Sequence, residues 1–468
     1  MQLHEILGEG PPVEISHLAH DTREVREGTL FFCVPGFTRD GHDLAPQAVE
    51  AGAVALVVER ELGLGVPEVV VPNVRAAMPA AAAHFHGDPT ERLPVVGITG
   101  TNGKTTTAFL LRGILEAAGR QCGLLGTVTS YVGGQERPTT HTTPEAIALQ
   151  ATFAAMLEGG DTACAMEVSS HALALHRADA IHWAVAVFTN LTQDHLDFHA
   201  DMEEYFLAKR RLFEAEPRTI VLNVEDPYGR RLAEEFPEAI TIGFGDDARL
   251  RAQDIESDAS GTTFTVDGHE HRVGLPGRFN VLNALCAVAA ARALGVDDIA
   301  AAHGLAKAGT VPGRFQPVDE GQGFTVVVDY SHTPDSLENA LRAARDLATG
   351  RVYCVFGAGG DRDRAKRPLM GRVAADLADV AVVTSDNPRS EDPQAIVDEI
   401  LGGMDGHGEP ILDRREAIAH AIGMAEGGDV VLIAGKGHEQ GQELAGGEKV
   451  PFDDVAVARE VLRGRLVI

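Results

Sequence analysis

Lysine is scarce in this chain. Its 468 residues hold six, Lys104, Lys209, Lys307, Lys366, Lys436 and Lys449, among 40 basic residues set against 69 acidic ones. The resulting formal charge of −29 argues against a nucleic-acid backbone as partner, because such partners need a basic face. Where arginine carries most of the positive charge, each retained lysine marks a place where a compact, titratable amine has a use that arginine cannot copy. The five cysteines, Cys33, Cys122, Cys164, Cys286 and Cys354, are scattered and show no C-x-x-C spacing. Neither a disulfide framework nor a zinc site follows, and buried thiols in a reducing cytosol are expected. No run of about 18 apolar residues occurs, and the start, Met1-Gln2-Leu3-His4-Glu5, lacks a basic region ahead of an apolar one. The expectation is a soluble cytoplasmic protein with no membrane partner.

The length exceeds one ordinary core, and a prior of about 100–200 residues per domain suggests three. Short apolar runs at 30–34, 53–58 and 69–71 alternate with helix-like stretches at 45–51 and 75–86, which reads as a small α/β domain. The polar turn Gly87-Asp88-Pro89-Thr90 ends it, and Gly309-Thr310-Val311-Pro312-Gly313 is a second candidate linker. The expected domains are therefore 1–90, 91–311 and 312–468. Within the middle one, strands are expected at 163–166, 183–188 and 219–222, and an antiparallel insertion at 262–266 and 271–273.

Gly97-Ile98-Thr99-Gly100-Thr101-Asn102-Gly103-Lys104-Thr105-Thr106 follows an apolar run and precedes an apolar-periodic helix. That is the layout of a phosphate-binding loop. Glycines let backbone N–H groups close on phosphate oxygens, the helix N-terminus adds positive potential, Lys104 reaches the outer phosphates and Thr105 can hold magnesium. The strict pattern wants glycine five residues before Gly103, where Ile98 stands.

Glu167, in Met166-Glu167-Val168-Ser169-Ser170-His171, follows a strand and can offer a carboxylate to the same magnesium ion. His195, in Asp194-His195-Leu196-Asp197, can reach a second cation, although a histidine after a strand is as often structural. Lys209 lies on an amphipathic helix, where a solvated cation is the plainer expectation and a desolvated, reactive amine the sharper one. Asn280 and Asn283 open another helix, the first expected to cap it and the second to touch a ligand.

From residue 315 onward apolar strands at 325–328, 352–356, 380–384 and 430–434 alternate with amphipathic helices, as in a parallel sheet buried on both faces. Ligands bind beyond the carboxyl ends of such strands. The loops Asp329-Tyr330-Ser331-His332, 357–368, Asp386-Asn387-Pro388-Arg389 and Gly435-Lys436-Gly437-His438-Glu439 are thus expected to share one edge. Four chemically loaded loops on one edge suggest a site, and Arg362, Arg364, Lys366 and Arg367, crowded into six positions of an acidic chain, favour it over ordinary polar loops.

These residues resemble the Mur ligase family, ATP-dependent amide-forming enzymes of peptidoglycan assembly, along the whole chain. The carriers are G-T-N-G-K-T at 100–105 with a nonglycine before T-G-T, D-T-R-E-V-R-E-G-T-L-F-F at 21–32, T-T-P at 142–144, M-E-V-S-S-H at 166–171 and D-H-L-D-F-H at 194–199. D-Y-S-H-T-P-D at 329–335 and G-G-D-R-D-R-A-K-R-P-L-M at 359–370 complete the set. D-N-P-R at 386–389 followed by G-K-G-H-E at 435–439 resembles the members that add meso-diaminopimelate as the third residue, rather than lysine.

The resemblance implies an α/β, three-domain architecture: a small UDP-sugar-binding domain, a phosphate-loop ATPase domain with a mostly parallel sheet, and a C-terminal Rossmann-like amino-acid-binding domain. It implies ATP at Gly100, Thr101, Asn102, Gly103, Lys104, Thr105 and Thr106, with Asn283 near adenine and Arg314 and Asp329 near phosphates and ribose. Two magnesium ions are implied at Thr105, Glu167 and His195, with Lys209 carbamylated by CO2 as a further metal ligand; Lys104, Glu167, His195 and Lys209 form the catalytic set. Thr22, Phe37, Thr38 and Arg39 are implied to contact the UDP-sugar of UDP-N-acetylmuramoyl-L-alanyl-D-glutamate, and Thr142, Thr143, Ser169 and Arg177 its peptide arm. Arg362, Asp386, Asn387, Pro388, Arg389, Gly435 and Glu439 are implied to take meso-diaminopimelate, in a monomer acting on small molecules. His141 stands where relatives often have asparagine, and Leu175 where some have glutamine. Rival readings are lysine as the added residue, a MurF-type ligase, a folylpolyglutamate synthetase and a non-catalytic nucleotide-binding protein.

Overall fold

The computed structural model describes residues 1–36, 39–258 and 260–466. They form two compact units: residues 1–97, 120–186 and 208–218 in the first, residues 98–119, 187–207 and 219–468 in the second. The chain passes between them inside the strands Val95–Thr99 and Trp183–Phe188 and inside the helix Met202–Glu214.

In the first unit, His17–Ala19, Thr29–Phe32, Ala53–Val58 and Glu68–Val70 form a four-stranded, wholly parallel sheet in that order. Successive side chains of a strand point to opposite faces. Leu30 and Phe32 accordingly join Leu3, Val74 and Met78 on one side, while Phe31 and Cys33 join Ala45 and Ala48 on the other. Covering both faces is what an unbroken apolar strand requires, and burying each such side chain contributes roughly 1.5–3 kcal/mol. Asn73 caps the helix Val74–Phe85 by accepting from the Ala76 N–H at 3.1 Å. Farther along, Cys122–Leu125 pairs parallel with Ala163–Glu167 and antiparallel with Ser130–Val132.

The second unit carries the helix Lys104–Ala117, the parallel strands Thr219–Asn223, Ile240–Gly243 and Leu250–Arg251, and the helix Arg278–Ala293. The expected insertion is an antiparallel sheet of three strands, Gln253–Asp258, Gly261–Val266 and His269–Val273. Its first strand is polar and largely exposed, so apolar patterning did not mark it.

A six-stranded sheet follows, ordered Gln316–Pro317, Thr325–Asp329, Val430–Ala434, Val352–Phe356, Val380–Val383, Gly408–Pro410, with only the first strand antiparallel. Val327, Cys354, Val383 and Leu432 pack under one helical layer that includes Leu337, Met370 and Ile400. Val326, Val355, Val382 and Ile433 pack under the opposite layer, with Ile418, Ala421 and Leu462. Because the four central strands run parallel, their polar loops leave the sheet at a single edge. All five cysteines are buried, and burial pushes the thiols of Cys33 and Cys286 up to about 12. Among the described residues no helix is long and apolar enough to cross a membrane.

Candidate active site

The fully buried strand Val95–Thr99 delivers the chain to Gly100 and Gly103, the latter at φ +86 as the N-cap of the helix Lys104–Ala117. A Cβ at Gly103 would collide with the Asn283 side chain, so both conformation and space demand glycine there. The loop is braced from 189–192. Asn190 accepts from the Thr101 N–H through its carbonyl and from the Asn102 N–H through Oδ1, both at 2.9 Å, while the Thr189 hydroxyl donates to the Asn102 carbonyl at 2.6 Å. The Lys104 ammonium lies over the loop, donating to the carbonyls of Gly100 and Thr101 at 2.8 Å each.

A cavity of about 520 Å³ opens beside this loop, within the size range of small-molecule sites. Asn102, Gly103, Thr106, Asn283, Arg314 and Asp329 all line it. The Arg314 guanidinium donates to Thr105 Oγ1 at 3.0 Å and stacks 4.5 Å over the Tyr330 ring. Asp329 accepts from the Phe315 N–H at 2.7 Å with one oxygen and from the Ser331 N–H at 2.9 Å with the other, fixing the turn after its strand. Among the other lining residues, Phe279, Asp226, Asn339 and Asp335 had no individual role assigned from the sequence. Burial raises the Asp335 carboxyl above its ordinary range, and the residue accepts from Asn102 Nδ2 at 3.1 Å. One expectation fails: Asn280 does not cap its helix. Gly277, at φ +98, takes that position, and Asn280 instead donates to the Pro276 carbonyl at 2.8 Å and accepts from Asn283 Nδ2 at 3.2 Å.

In the first unit, Glu167 is buried at the end of its strand, its two oxygens accepting from the Thr127 N–H and hydroxyl at 2.9 Å each. The Thr127 and Thr142 hydroxyls are 3.0 Å apart, and the Thr143 hydroxyl donates to the Glu167 carbonyl at 2.9 Å. Ser169 caps the helix Ser170–Ala174 and donates its N–H to Thr143 Oγ1 at 3.1 Å. Arg177 pairs with Glu145 at 2.8 Å and donates to the Thr143 carbonyl at 3.4 Å. Thr142, Thr143, Ser169 and Arg177 thus belong to one bonded patch with Glu167. Thr22 opens the short turn Thr22–Glu24, Arg39 is exposed, and Phe37 and Thr38 lie outside the described residues. His141 is exposed and Leu175 ends its helix. Lys209 is 1% exposed, which overturns the solvated reading of its helix face. Amphipathic periodicity finds the faces of a helix but not what covers them.

His195, at φ +56, donates its N–H to Asp194 Oδ1 at 2.9 Å. Asp194 also lies 3.6 Å from His332 and 3.8 Å from Lys366. Burial works against its charge, but the His332 hydrogen bond and the charges of His195, His332 and Lys366 prevail and hold the carboxyl well below its ordinary range. Among the described residues no cluster of three or more His, Cys, Asp or Glu side chains gathers for a metal. Magnesium keeps several waters and takes hard oxygen donors, a chemistry that the Thr105 hydroxyl in the second unit and the Glu167 carboxylate in the first each offer.

At the C-terminal sheet edge Lys436 is fully buried, its ammonium 2.8 Å from Asn387 Oδ1, 3.1 Å from Glu439 Oε2 and 3.5 Å from Asp386 Oδ1. Asn387 Nδ2 donates to the same Glu439 oxygen at 2.8 Å. Burial opposes the Asp386 charge, yet Lys436 and Arg414 lower its carboxyl. A Cβ at Gly435 would strike that carboxylate. Pro388 leads into Arg389, whose guanidinium donates to the Gly360 carbonyl at 2.8 Å. Most of the basic run nearby is engaged in ion pairs within the fold. Arg367, fully buried, pairs with Glu391 at 2.7 Å and Glu399 at 2.8 Å, Arg364 pairs with Glu399, and Lys366 is buried near Asp194. Arg362 remains exposed, donating to the Asp361 carbonyl at 2.9 Å.

Three family models match the chain: "Mur ligase family, catalytic domain" over residues 14–89, "Mur ligase middle domain" over 98–291 and "Mur ligase, glutamate ligase domain" over 313–437. A UDP-N-acetylmuramoyl-L-alanyl-D-glutamate–2,6-diaminopimelate ligase of Geobacillus thermodenitrificans is 49% identical over 97% of this chain and 96% of its own length. A protein of the same name from Bacillus cereus is 46% identical over 97% of this chain and 95% of its own. A solved structure bearing that enzyme name superposes with a TM-score of 0.72 at 32% identity, covering 100% of this chain and 99% of the other. The MurF ligase of Thermotoga maritima in complex with ADP shares the fold, with a TM-score of 0.66 at 19% identity over 97% of this chain and 98% of the other.

Proposed function

The chain belongs to the Mur ligase family, and on that premise we propose that it joins meso-2,6-diaminopimelate to the γ-carboxylate of the D-glutamyl group in UDP-N-acetylmuramoyl-L-alanyl-D-glutamate, at the expense of ATP. It acts in the cytoplasm, as a monomer, on precursors of peptidoglycan. Residues 1–90, 91–311 and 312–468 are its working domains for the UDP-sugar, the nucleotide and the amino acid.

The observation that carries the reading is a cation and a carboxylate joined through one hydrogen-bonded network at the C-terminal sheet edge. Glu439 is held by Asn387 and Lys436, and Arg389 is fixed on the same loop as Asn387. An amino acid with an ammonium and a second carboxylate offers a partner to each. Lysine lacks the second carboxylate, so the Arg389 nitrogen left over for a ligand would lose its acceptor, which costs binding free energy.

A carboxylate is a poor electrophile, and its activation needs a better leaving group. The γ-carboxylate of the substrate attacks the γ-phosphorus of ATP, ADP leaves, and an acyl phosphate forms. The amine of the diamino acid then attacks the activated carbonyl, and phosphate departs with the C–O bond electrons. Lys104, poised over the phosphate loop, spreads the charge of the transferring group, and Arg314 supplies a second cation beside Thr105. Magnesium, two ions in this reading, would be held by Thr105, Glu167, His195 and a carbamate on Lys209, and would neutralise phosphate charge.

Substrate carrying 18O in the γ-carboxylate tests the scheme. One labelled oxygen should appear in phosphate for each amide bond formed. Amide formation with all label retained in the peptide would refute the acyl phosphate.

A further inference from the structure

Glu443, which no sequence motif singled out, bonds at three points to the loop that carries Asn387 and Arg389. It ends the short strand Gly441–Glu443, which pairs antiparallel with Lys449–Pro451. Its carbonyl accepts from the Arg389 N–H at 3.1 Å, its N–H donates to Asn387 Oδ1 at 2.9 Å, and its carboxylate accepts from Arg389 Nε at 3.0 Å. Arg389 itself sits at φ +51, a conformation that a non-glycine residue keeps only when its surroundings hold it.

The guanidinium is fixed by two acceptors from separate segments, Glu443 on Nε and the Gly360 carbonyl on Nη1 at 2.8 Å. Gly359 keeps space for it, since a Cβ there would lie 3.0 Å from Nη1. Among the described residues Nη2 makes no hydrogen bond. The plane of the group is therefore set, and one nitrogen with two N–H donors remains for a ligand. The same residue reaches the other end of the site: Asn387, held by the Glu443 N–H and Lys436, donates to Glu439 at 2.8 Å.

We infer that Glu443 is a positioning residue for amino-acid selection. It aims Nη2 of Arg389 at the distal carboxylate of the amino acid and, through Asn387, keeps Glu439 in register with that cation. The inference rests on the reading in which Arg389 and Glu439 take the two ends of a diamino acid.

Steady-state kinetics of the full chain carrying E443L, E443Q or R389A, with meso-diaminopimelate and L-lysine also offered in competition, test it. With one charge-assisted hydrogen bond removed, E443L should raise KM for meso-diaminopimelate about tenfold and lower the preference over lysine. KM for ATP should stay within about twofold, and the loss should fall on the amino-acid KM more than on kcat. E443Q keeps an acceptor oxygen for Nε and should recover most of the loss. If E443L leaves the amino-acid KM and the preference unchanged while R389A destroys them, Glu443 has no such role and the wider reading stands. If E443L lowers kcat and raises every KM alike, with E443Q no better, its role is structural and the inference falls. If R389A itself leaves the preference unchanged, the reading beneath the inference falls instead.

Discussion

Lys436 donates to Asn387 and Glu439 with its ammonium fully buried, Lys209 is 1% exposed, and Lys366 is buried 3.8 Å from Asp194. Lys307 and Lys449 are exposed. Scarcity in the sequence therefore pointed toward consequential lysines without separating these two from the rest, because burial is decided by residues distant in the chain. The phosphate loop was legible for the opposite reason: its glycines, Lys104 and Thr105 act within one short segment. Glu443 was not legible at all, since its role arises from contacts with Arg389 and Asn387 more than fifty positions earlier. His438, in the same glycine-rich loop, gives a residue-scale prediction. Burial and then the charge of Arg314 push its ring down to about 3. A histidine near 6.5 when unfolded then binds its proton more tightly in the unfolded chain, so stability should fall as pH drops from about 6.5 toward 3. H438Q should flatten that part of the pH dependence in urea unfolding; an unchanged slope would place its origin elsewhere.

Strands were the most legible elements. Trp183–Phe188, Val352–Phe356 and Val430–Ala434 end where their apolar runs end, because burial on both faces leaves no polar position inside them. Helix starts were less legible. Asn280 has the chemistry of a cap, but the glycine three positions earlier reaches φ +98 and takes that place. The pairing within the basic run at 362–367 was hidden for a related reason: its partners, Glu391 and Glu399, come from a later loop and helix. Arg367 anchors the helix Lys366–Leu377 to them with its side chain fully buried. R367L should destabilise the chain by about 2–3 kcal/mol, the lower end for a buried pair because both glutamates reach solvent. Denaturant unfolding with kcat measured on the folded fraction checks this. A large fall in kcat at unchanged stability would return Arg367 to the site. At the loop, G103A should abolish ATP-dependent turnover, as the new Cβ strains φ +86 and displaces Asn283, and retained turnover would contradict that account of the glycine.

Across the whole molecule, a charge of −29 coexists with a substrate set of anions, which places the binding burden on a few local cations. In the proposed scheme Lys104, Arg314 and Arg389 are those cations, two at or near the cavity by the phosphate loop and one at the C-terminal sheet edge. The carbamate proposed on Lys209 would make activity depend on dissolved CO2: degassed, bicarbonate-free buffer should lower turnover and added bicarbonate restore it, and indifference to both would remove the carbamate from the scheme. The central claim is the selective addition of meso-diaminopimelate over lysine. The measurement that tests it most directly offers meso-diaminopimelate and L-lysine together with ATP, magnesium and UDP-N-acetylmuramoyl-L-alanyl-D-glutamate, and reads the products by mass. The account predicts the diaminopimelate adduct, formed only with ATP present. A lysine adduct would contradict the selection by Arg389, and no adduct of either kind would contradict the assigned reaction.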